Sequence, residues 1–153
     1  MEQKRPMTKI LPHSGIMKGN KHIFPLRVYY EDTDVGGVVY YANYLKYMER
    51  ARSEMIRALG IDQLEMLKYN KPDDVSFVVR RCEVDYKSAA YFDDLLTVET
   101  EIIKLGGASI LMKQVILKDD VRVVESLIKA AVIGEDGKTK RLPKTIKQKF
   151  EFN

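Results

Sequence analysis

Hydrophobic residues along the chain follow one long helical period between stretches that alternate with a period of two. After a polar stretch of about twenty residues, IFPLRVYY within His22–Tyr30 predicts a first strand, with Pro25 placing it at an edge or a bend. From Asn43 the period changes: Tyr44, Met48, Ala51, Met55 and Leu59 recur every three or four residues, the apolar stripe of an amphipathic helix. Lys46, Arg50, Ser53 and Arg57 fall on its other face, and Gly60 ends it as a residue able to turn left-handed. A short helical turn is expected over Asp62–Lys68. Beyond Pro72 the alternation is that of strands: SFVVRRCEVDY, LLTVETEIIKL, SILMKQVIL and VRVVESLIKAAVIG, parted by Gly106-Gly107 and Asp119-Asp120 turns. TIKQKFEF closes the chain as a short helix. Short turns require antiparallel neighbours. The expected architecture is α+β, one long helix wrapped by a curved five-stranded antiparallel sheet. Residues 1–20 are read as a flexible basic leader and 21–153 as a single domain.

The composition excludes several classes. At 153 residues, 45% hydrophobic and 31% charged, the chain is long enough for one buried core and too apolar to be disordered. No run approaches a membrane span, and the leader has no apolar signal core. The single cysteine, Cys82, excludes an internal disulfide and fits a reducing cytoplasm. Cys82 falls on the apolar side of its strand pattern, which predicts a buried position over a nucleophile. The net charge of +4 comes from the two ends, each with a surplus of three, around a slightly acidic body. That distribution predicts solvated basic tails and no nucleic-acid groove.

The candidate chemistry is sparse. Both histidines, His13 and His22, stand in or beside the leader, so no serine or cysteine nucleophile has a base. No metal-ligand spacing occurs. What remains is RVYYEDTDVGGVVYYANYLKYMERAR, an acidic loop between strand and helix. The start of the helix exposes unpaired N–H groups suited to an oxyanion, and an acid folded back across the glycine pair could attack or activate water. From the residues alone, two readings of Asp32 and Asp34 stand: an acyl-transfer site, or carboxylates that cap a turn.

DTDVGGVVYYANYLKYMERARSE, with FVVRRCEVDY, FDDLLTVETEI and a closing RLPK, resembles the hot-dog-fold acyl-CoA thioesterases. The branch is that of 4-hydroxybenzoyl-CoA thioesterase, and the likeness is strongest to the small thioesterases associated with the Tol–Pal envelope system. It covers about Arg27 to Lys144 and rests on the Asp-x-x-Gly-x-Val-Tyr-x-x-Asn-Tyr pattern. The resemblance implies hydrolysis of acyl-CoA without a cofactor. Asp34 matches the catalytic carboxylate, and Tyr41 the residue whose backbone N–H polarises the thioester carbonyl. Glu49 matches a contact to the far end of the acyl group, against a plain pairing with Arg52 or Ser53. Tyr44 and Ser109 match positions near the substrate. Homodimers whose sheets join edge to edge, often paired into tetramers, are implied, with an acyl-carrier protein among the candidate partners. Three features depart from the pattern: Tyr41 where many relatives have histidine, Ala89-Ala90-Tyr91 where an arginine is common, and the basic leader. A non-catalytic acyl-binding protein is the alternative, and a dehydratase ranks third for want of a histidine in the motif.

Overall fold

The structure, a computed structural model, describes residues 9–152. Six strands form one antiparallel sheet: β1 (Ile16–Lys18), β2 (Lys21–Arg27), β3 (Ser76–Tyr86), β4 (Leu95–Leu105), β5 (Ser109–Lys118) and β6 (Val121–Ile133). Their spatial order is β1-β2-β4-β5-β6-β3. The sheet thus has one strand more than the pattern predicts. The extra one is β1, which turns at Gly19-Asn20 onto β2, pairing Ile16 with Ile23 and Lys18 with Lys21. Three residues are too few for any period to show, so part of the stretch read as a leader is a strand. Residues 1–8 of that leader lie outside the described residues.

Helix α1 (Asn43–Ala58) packs on one face of the sheet, against β2 and β4. Tyr44, Tyr47, Met48, Ala51, Met55 and Ile56 are buried along it, as its stripe requires. Gly60, at φ +79° just past its end, takes the left-handed turn. Two short helices, α2 (Gln63–Met66) and α3 (Lys144–Phe150), close one end. Asp62 caps α2 by accepting the Glu65 N–H at 3.0 Å.

The core is split in two. One apolar cluster, with Val28, Tyr44, Tyr47, Leu96 and Val98, lies under the first half of α1. The other, with Met55, Ile110, Ile128, Val132 and Phe150, lies under its second half. Between them runs a row of polar side chains in register across four strands: His22 opposite Thr100, Thr100 opposite Gln114, Gln114 opposite Ser126. All four are buried. The Gln114 side-chain amide donates to the Met48 carbonyl and to Thr100 Oγ1, each at 3.0 Å. Its Oε1 accepts from Arg52 at 2.9 Å. The Ser126 hydroxyl donates to the Gln114 main-chain carbonyl at 2.9 Å. These bonds offset the cost of burying amide and hydroxyl groups.

Cys82 corrects the expectation from its pattern: it is exposed. It sits on β3, whose only sheet neighbour among the described residues is β6. An edge strand has nothing on its open flank, so even its inward-facing positions remain accessible.

His22, at 0% exposed, ends the polar row beneath β1 and its approach. Its Nε2 lies 2.8 Å from the Ser14 carbonyl, and Nδ1 has no partner among the described residues. Burial lowers its pKa below the usual 6.5, against the raising effects of the Ser14 carbonyl and of Glu54. The unfolded chain therefore takes up this proton at a higher pH than the folded one. The stability gained from the neutral ring is complete above about pH 6.5 and is lost as pH falls from there toward the folded pKa. In urea unfolding, the wild-type midpoint is expected to fall more steeply from pH 7 to 5.5 than that of His22→Gln; parallel curves would remove His22 from the acid response.

Candidate active site

The segment from Tyr29 to Tyr44 is built by its own hydrogen bonds. One turn of 3-10 helix, Tyr30–Asp32, is closed by Asp32, whose carboxylate accepts the Tyr29 N–H at 2.8 Å. The chain then doubles back: Thr33 bridges Val39, the Asp34 N–H reaches the Val38 carbonyl at 2.9 Å, and Gly37 N–H returns to the Asp34 carbonyl at 3.0 Å. Gly37 has φ +79°, which a side chain would strain. Val38 bridges Tyr91 and the Val39 N–H donates to the Ala90 carbonyl at 2.8 Å. The loop is thereby fastened to the segment ahead of β4.

Two further bonds fix the loop to the helix. The Asp32 carbonyl accepts from the Tyr40 N–H at 2.9 Å and from Asn43 Nδ2 at 2.8 Å. Tyr44, assigned to the substrate on resemblance, is buried, and its hydroxyl accepts the Ala90 N–H at 3.1 Å. Burial raises its pKa, against the lowering by that N–H. Tyr47 is buried behind it, its pKa raised by burial first and by the Asp32 carboxylate second. Both tyrosines are neutral supports at physiological pH.

Asp34 is exposed at the tip. Its Oδ1 accepts the Gly36 N–H at 2.8 Å, which orients the carboxylate and leaves the other oxygen without a protein partner among the described residues. Past the loop, the Tyr41 and Ala42 N–H groups find no acceptor among the described residues; they precede Asn43, the first residue of α1. A carboxylate and unpaired N–H donors at a helix start therefore sit on one braced segment. Around them lies a collar of exposed rings. Tyr41 stacks edge-on to Tyr86 of β3 at 5.8 Å, and Tyr30 to Phe92 at 6.0 Å. Tyr41 remains 59% exposed and Tyr86 46%, an aromatic surface larger than scattered apolar residues would give.

Glu49 lies further along α1, eight residues and so about 12 Å from Tyr41. It pairs with Arg52. Ser109 is not brought to Asp34 in the single chain. It pairs with Ala131, which faces Val78 of β3, whereas Tyr41 packs on Tyr86; eight strand residues put these ends about 27 Å apart. The pairing of Glu49 with Arg52 is the plainer of the two readings its position allowed; reading the residues missed Gln114, although polar residues at inward positions of neighbouring strands were a usable sign.

A long helix packed on one face of an antiparallel sheet, with an acid loop at its start, is the arrangement of the hot-dog fold. The model of the thioesterase superfamily matches residues 36–125, more than half the chain and beginning two residues after Asp34. An acyl-CoA thioesterase YbgC of Haemophilus influenzae is 43% identical over 88% of this chain and 97% of its own length. The acyl-CoA thioester hydrolase YbgC of Escherichia coli O157:H7 is 38% identical over 84% and 94%. A probable thioesterase from Bartonella henselae superposes with a TM-score of 0.76 at 41% identity, over 80% of this chain and 99% of that one. The chain belongs to the thioesterase superfamily.

Replacing Asn43 by Ala removes the side-chain tie between the loop and α1. The expected cost is about 1 kcal/mol in chemical unfolding, with faster amide exchange at Tyr40 and Val39. Exchange there equal to that of the wild type would mean that the backbone bonds alone hold the loop.

Proposed function

We propose that this protein hydrolyses acyl-CoA thioesters to a carboxylic acid and free coenzyme A, with Asp34 as nucleophile or general base. The observation that carries this reading is the pairing, on one braced segment, of the oriented Asp34 carboxylate with the unpaired N–H groups of Tyr41 and Ala42. The thioester carbonyl oxygen takes hydrogen bonds from the helix start, above all from the Tyr41 N–H. Oxygen from the carboxylate, or from water that Asp34 deprotonates, attacks the carbonyl carbon. The N–H donors hold the negative charge that forms on the carbonyl oxygen. Collapse expels the coenzyme A thiolate; if Asp34 attacked, it leaves a mixed anhydride that water then cleaves to the acid and the free carboxylate. A thiolate leaves without much proton assistance, so the absence of a histidine from the loop is no obstacle. Relatives named as acyl-CoA thioesterases, aligned over most of their lengths, support the substrate class.

The working unit in this reading is a homodimer, itself paired into a tetramer, in a cytoplasmic setting. What supports it is the open edge of β3, eleven residues with Val78, Val79 and Tyr86 exposed. Antiparallel pairing of two β3 edges would bring the partner's Ser109 end toward this chain's Asp34 end. That arrangement gives Ser109 a place in the site and covers the aromatic collar. Coenzyme A would thread the interface, and an acyl-carrier protein is the other donor the pocket could serve.

Free-thiol release from a panel of acyl-CoAs is expected to fall about a hundredfold or more in Asp34→Asn, the scale of losing a general base. Equal rates in both would leave a protein that binds acyl groups without Asp34 chemistry. Single-turnover hydrolysis in heavy-oxygen water separates the two mechanisms, since label in Asp34 requires attack by the carboxylate. Sedimentation is expected to show at least a dimer, and Val78→Asp to yield monomers that lose turnover in step. A monomer with full turnover would sink the shared site.

A further inference from the structure

Two charged residues continue the inward rows of β4 and β5 past the apolar core. Leu96 and Val98 of β4 are buried, and Asp94 stands one inward step ahead of Leu96. Ile116 of β5 is buried, and Lys118 stands one inward step beyond it. The register that sets Thr97 opposite Leu117 makes Asp94 and Lys118 diagonal neighbours at the edge of the first core cluster. Asp94 Oδ1 and Lys118 Nζ are 2.8 Å apart, with the Asp94 side chain 14% exposed and that of Lys118 42%. As a store of stability such a pair contributes little. Its position gives it another use.

Both carboxylate oxygens of Asp94 are engaged. Oδ2 accepts the Tyr91 N–H at 2.8 Å, and the Asp94 N–H returns to the Tyr91 carbonyl at 3.1 Å. The Asp94 carbonyl accepts the Val28 N–H at 2.9 Å. Burial pushes the Asp94 carboxyl up, but the Lys118 ammonium and the Tyr91 N–H hold it below the usual carboxylate range. The segment it ties down, residues 89–92, carries both halves of the candidate site. Tyr91 bridges Val38, and the Ala90 carbonyl accepts the Val39 N–H at 2.8 Å, which fixes the acid loop. The Ala90 N–H donates to the Tyr44 hydroxyl at 3.1 Å, which fixes the first turn of α1. Asp34 reaches the same segment through Val38, whose carbonyl accepts its N–H at 2.9 Å. At the other end, the Lys87 and Ser88 N–H groups lie 2.8 and 3.3 Å from the Val123 carbonyl of β6. The Asp94 end is the one beside Tyr91 and Val38.

We propose that Asp94, clamped by Lys118, is a positioning residue that sets the separation between the Asp34 carboxylate and the Tyr41 and Ala42 N–H groups. This rests on the acyl-CoA reading above. Neither residue touches the thioester. Asp94 acts through Tyr91 and Ala90, and Lys118 acts by keeping the carboxylate turned toward the Tyr91 N–H. Without the ammonium, a largely buried carboxylate is left uncompensated and turns to water. The Tyr91 N–H then loses its acceptor and the bridge to Val38 loosens. Because the same segment holds Tyr44, loosening alters the distance from loop to helix start and removes neither group. Chemistry that needs both groups at one carbonyl is sensitive to that distance: a misplacement of about 1 Å can cost about a hundredfold.

The test sets Lys118→Met against Lys118→Arg, at a half-buried position on a strand end. With an acyl-CoA that the wild type hydrolyses, Lys118→Met is expected to lower kcat about tenfold and to leave KM within about twofold. Lys118→Arg keeps the charge and is expected to restore kcat. Asp94→Ala falls further than Asp94→Asn, which retains an acceptor for the Tyr91 N–H. Amide exchange is measured on the same variants. In Lys118→Met the Asp34 and Val39 amides are expected to exchange faster, while Ile128 of the second cluster is unchanged. An unchanged kcat in Lys118→Met overturns the proposal, as does faster exchange at Ile128 to the same degree, which reduces the pair to a stability element. An equal loss in Lys118→Arg overturns it as well, since charge is then not what holds the segment. No hydrolysis of any acyl-CoA by the wild type, with Val39 exchange faster in Lys118→Met and restored in Lys118→Arg, would overturn the hydrolase reading and leave the brace standing.

Discussion

The seating of α1 on the sheet is fixed at one point, where the Gln114 side chain donates to the Met48 carbonyl. Apolar packing alone constrains a helix loosely, because hydrophobic attraction has no direction and neighbouring rotations bury similar area. The Gln114 amide accepts few alternatives. It must reach Met48 and Thr100 with its two hydrogens and Arg52 with its oxygen, and any slide of the helix by a residue breaks at least two of these bonds. An unsatisfied amide in so dry a place costs about 1–3 kcal/mol, a large share of a small domain's stability. The rotation of α1 is thus specified from its middle. Its first turn then arrives where Asn43 can hold the Asp32 carbonyl and Tyr44 the Ala90 N–H.

The elements with enough residues to show a period were legible in the sequence. The α1 stripe, the four long strands and the glycine after the helix all stand where the pattern put them. The failures have physical causes. β1 is three residues long and owes its strand character to pairing with β2, which no local pattern encodes. Cys82 has a strand's alternation, but burial depends on what covers a strand, and the open flank of β3 is a property of sheet order. The polar row was harder still. Thr100, Gln114 and Ser126 each interrupt an apolar face singly and look like noise within one strand; only the register makes them neighbours.

The candidate site divides in the same way. From the residues, Asp34 was either a turn cap or a reactive carboxylate, and resemblance to a family supplied the rest. The two roles are compatible: one carboxylate oxygen caps the turn by taking the Gly36 N–H, and the other stays available. A cap of this kind holds the carboxylate in one orientation, which a reactive group in an exposed loop would otherwise lack. Ser109 could not be placed by sequence, because its distance from Asp34 within one chain follows from strand register.

The split core has a consequence for how such a fold can change. The cluster under the first half of α1 supports the loop and the helix start; the cluster under the second half lines a cavity at the far end. The polar row between them shares few side chains with either. Substitutions at Ile110, Met112 or Phe150 act in a cluster that the hydrogen bonds of the polar row do not include, and well-separated sites act nearly additively. Asp34 and the unpaired N–H groups are braced instead by Asp32, Asn43 and Ala90. The acid loop with the helix start and the far cavity therefore rest on different contacts. A fold organised in this way can hold the loop and the helix start unchanged while the far end of the core is repacked.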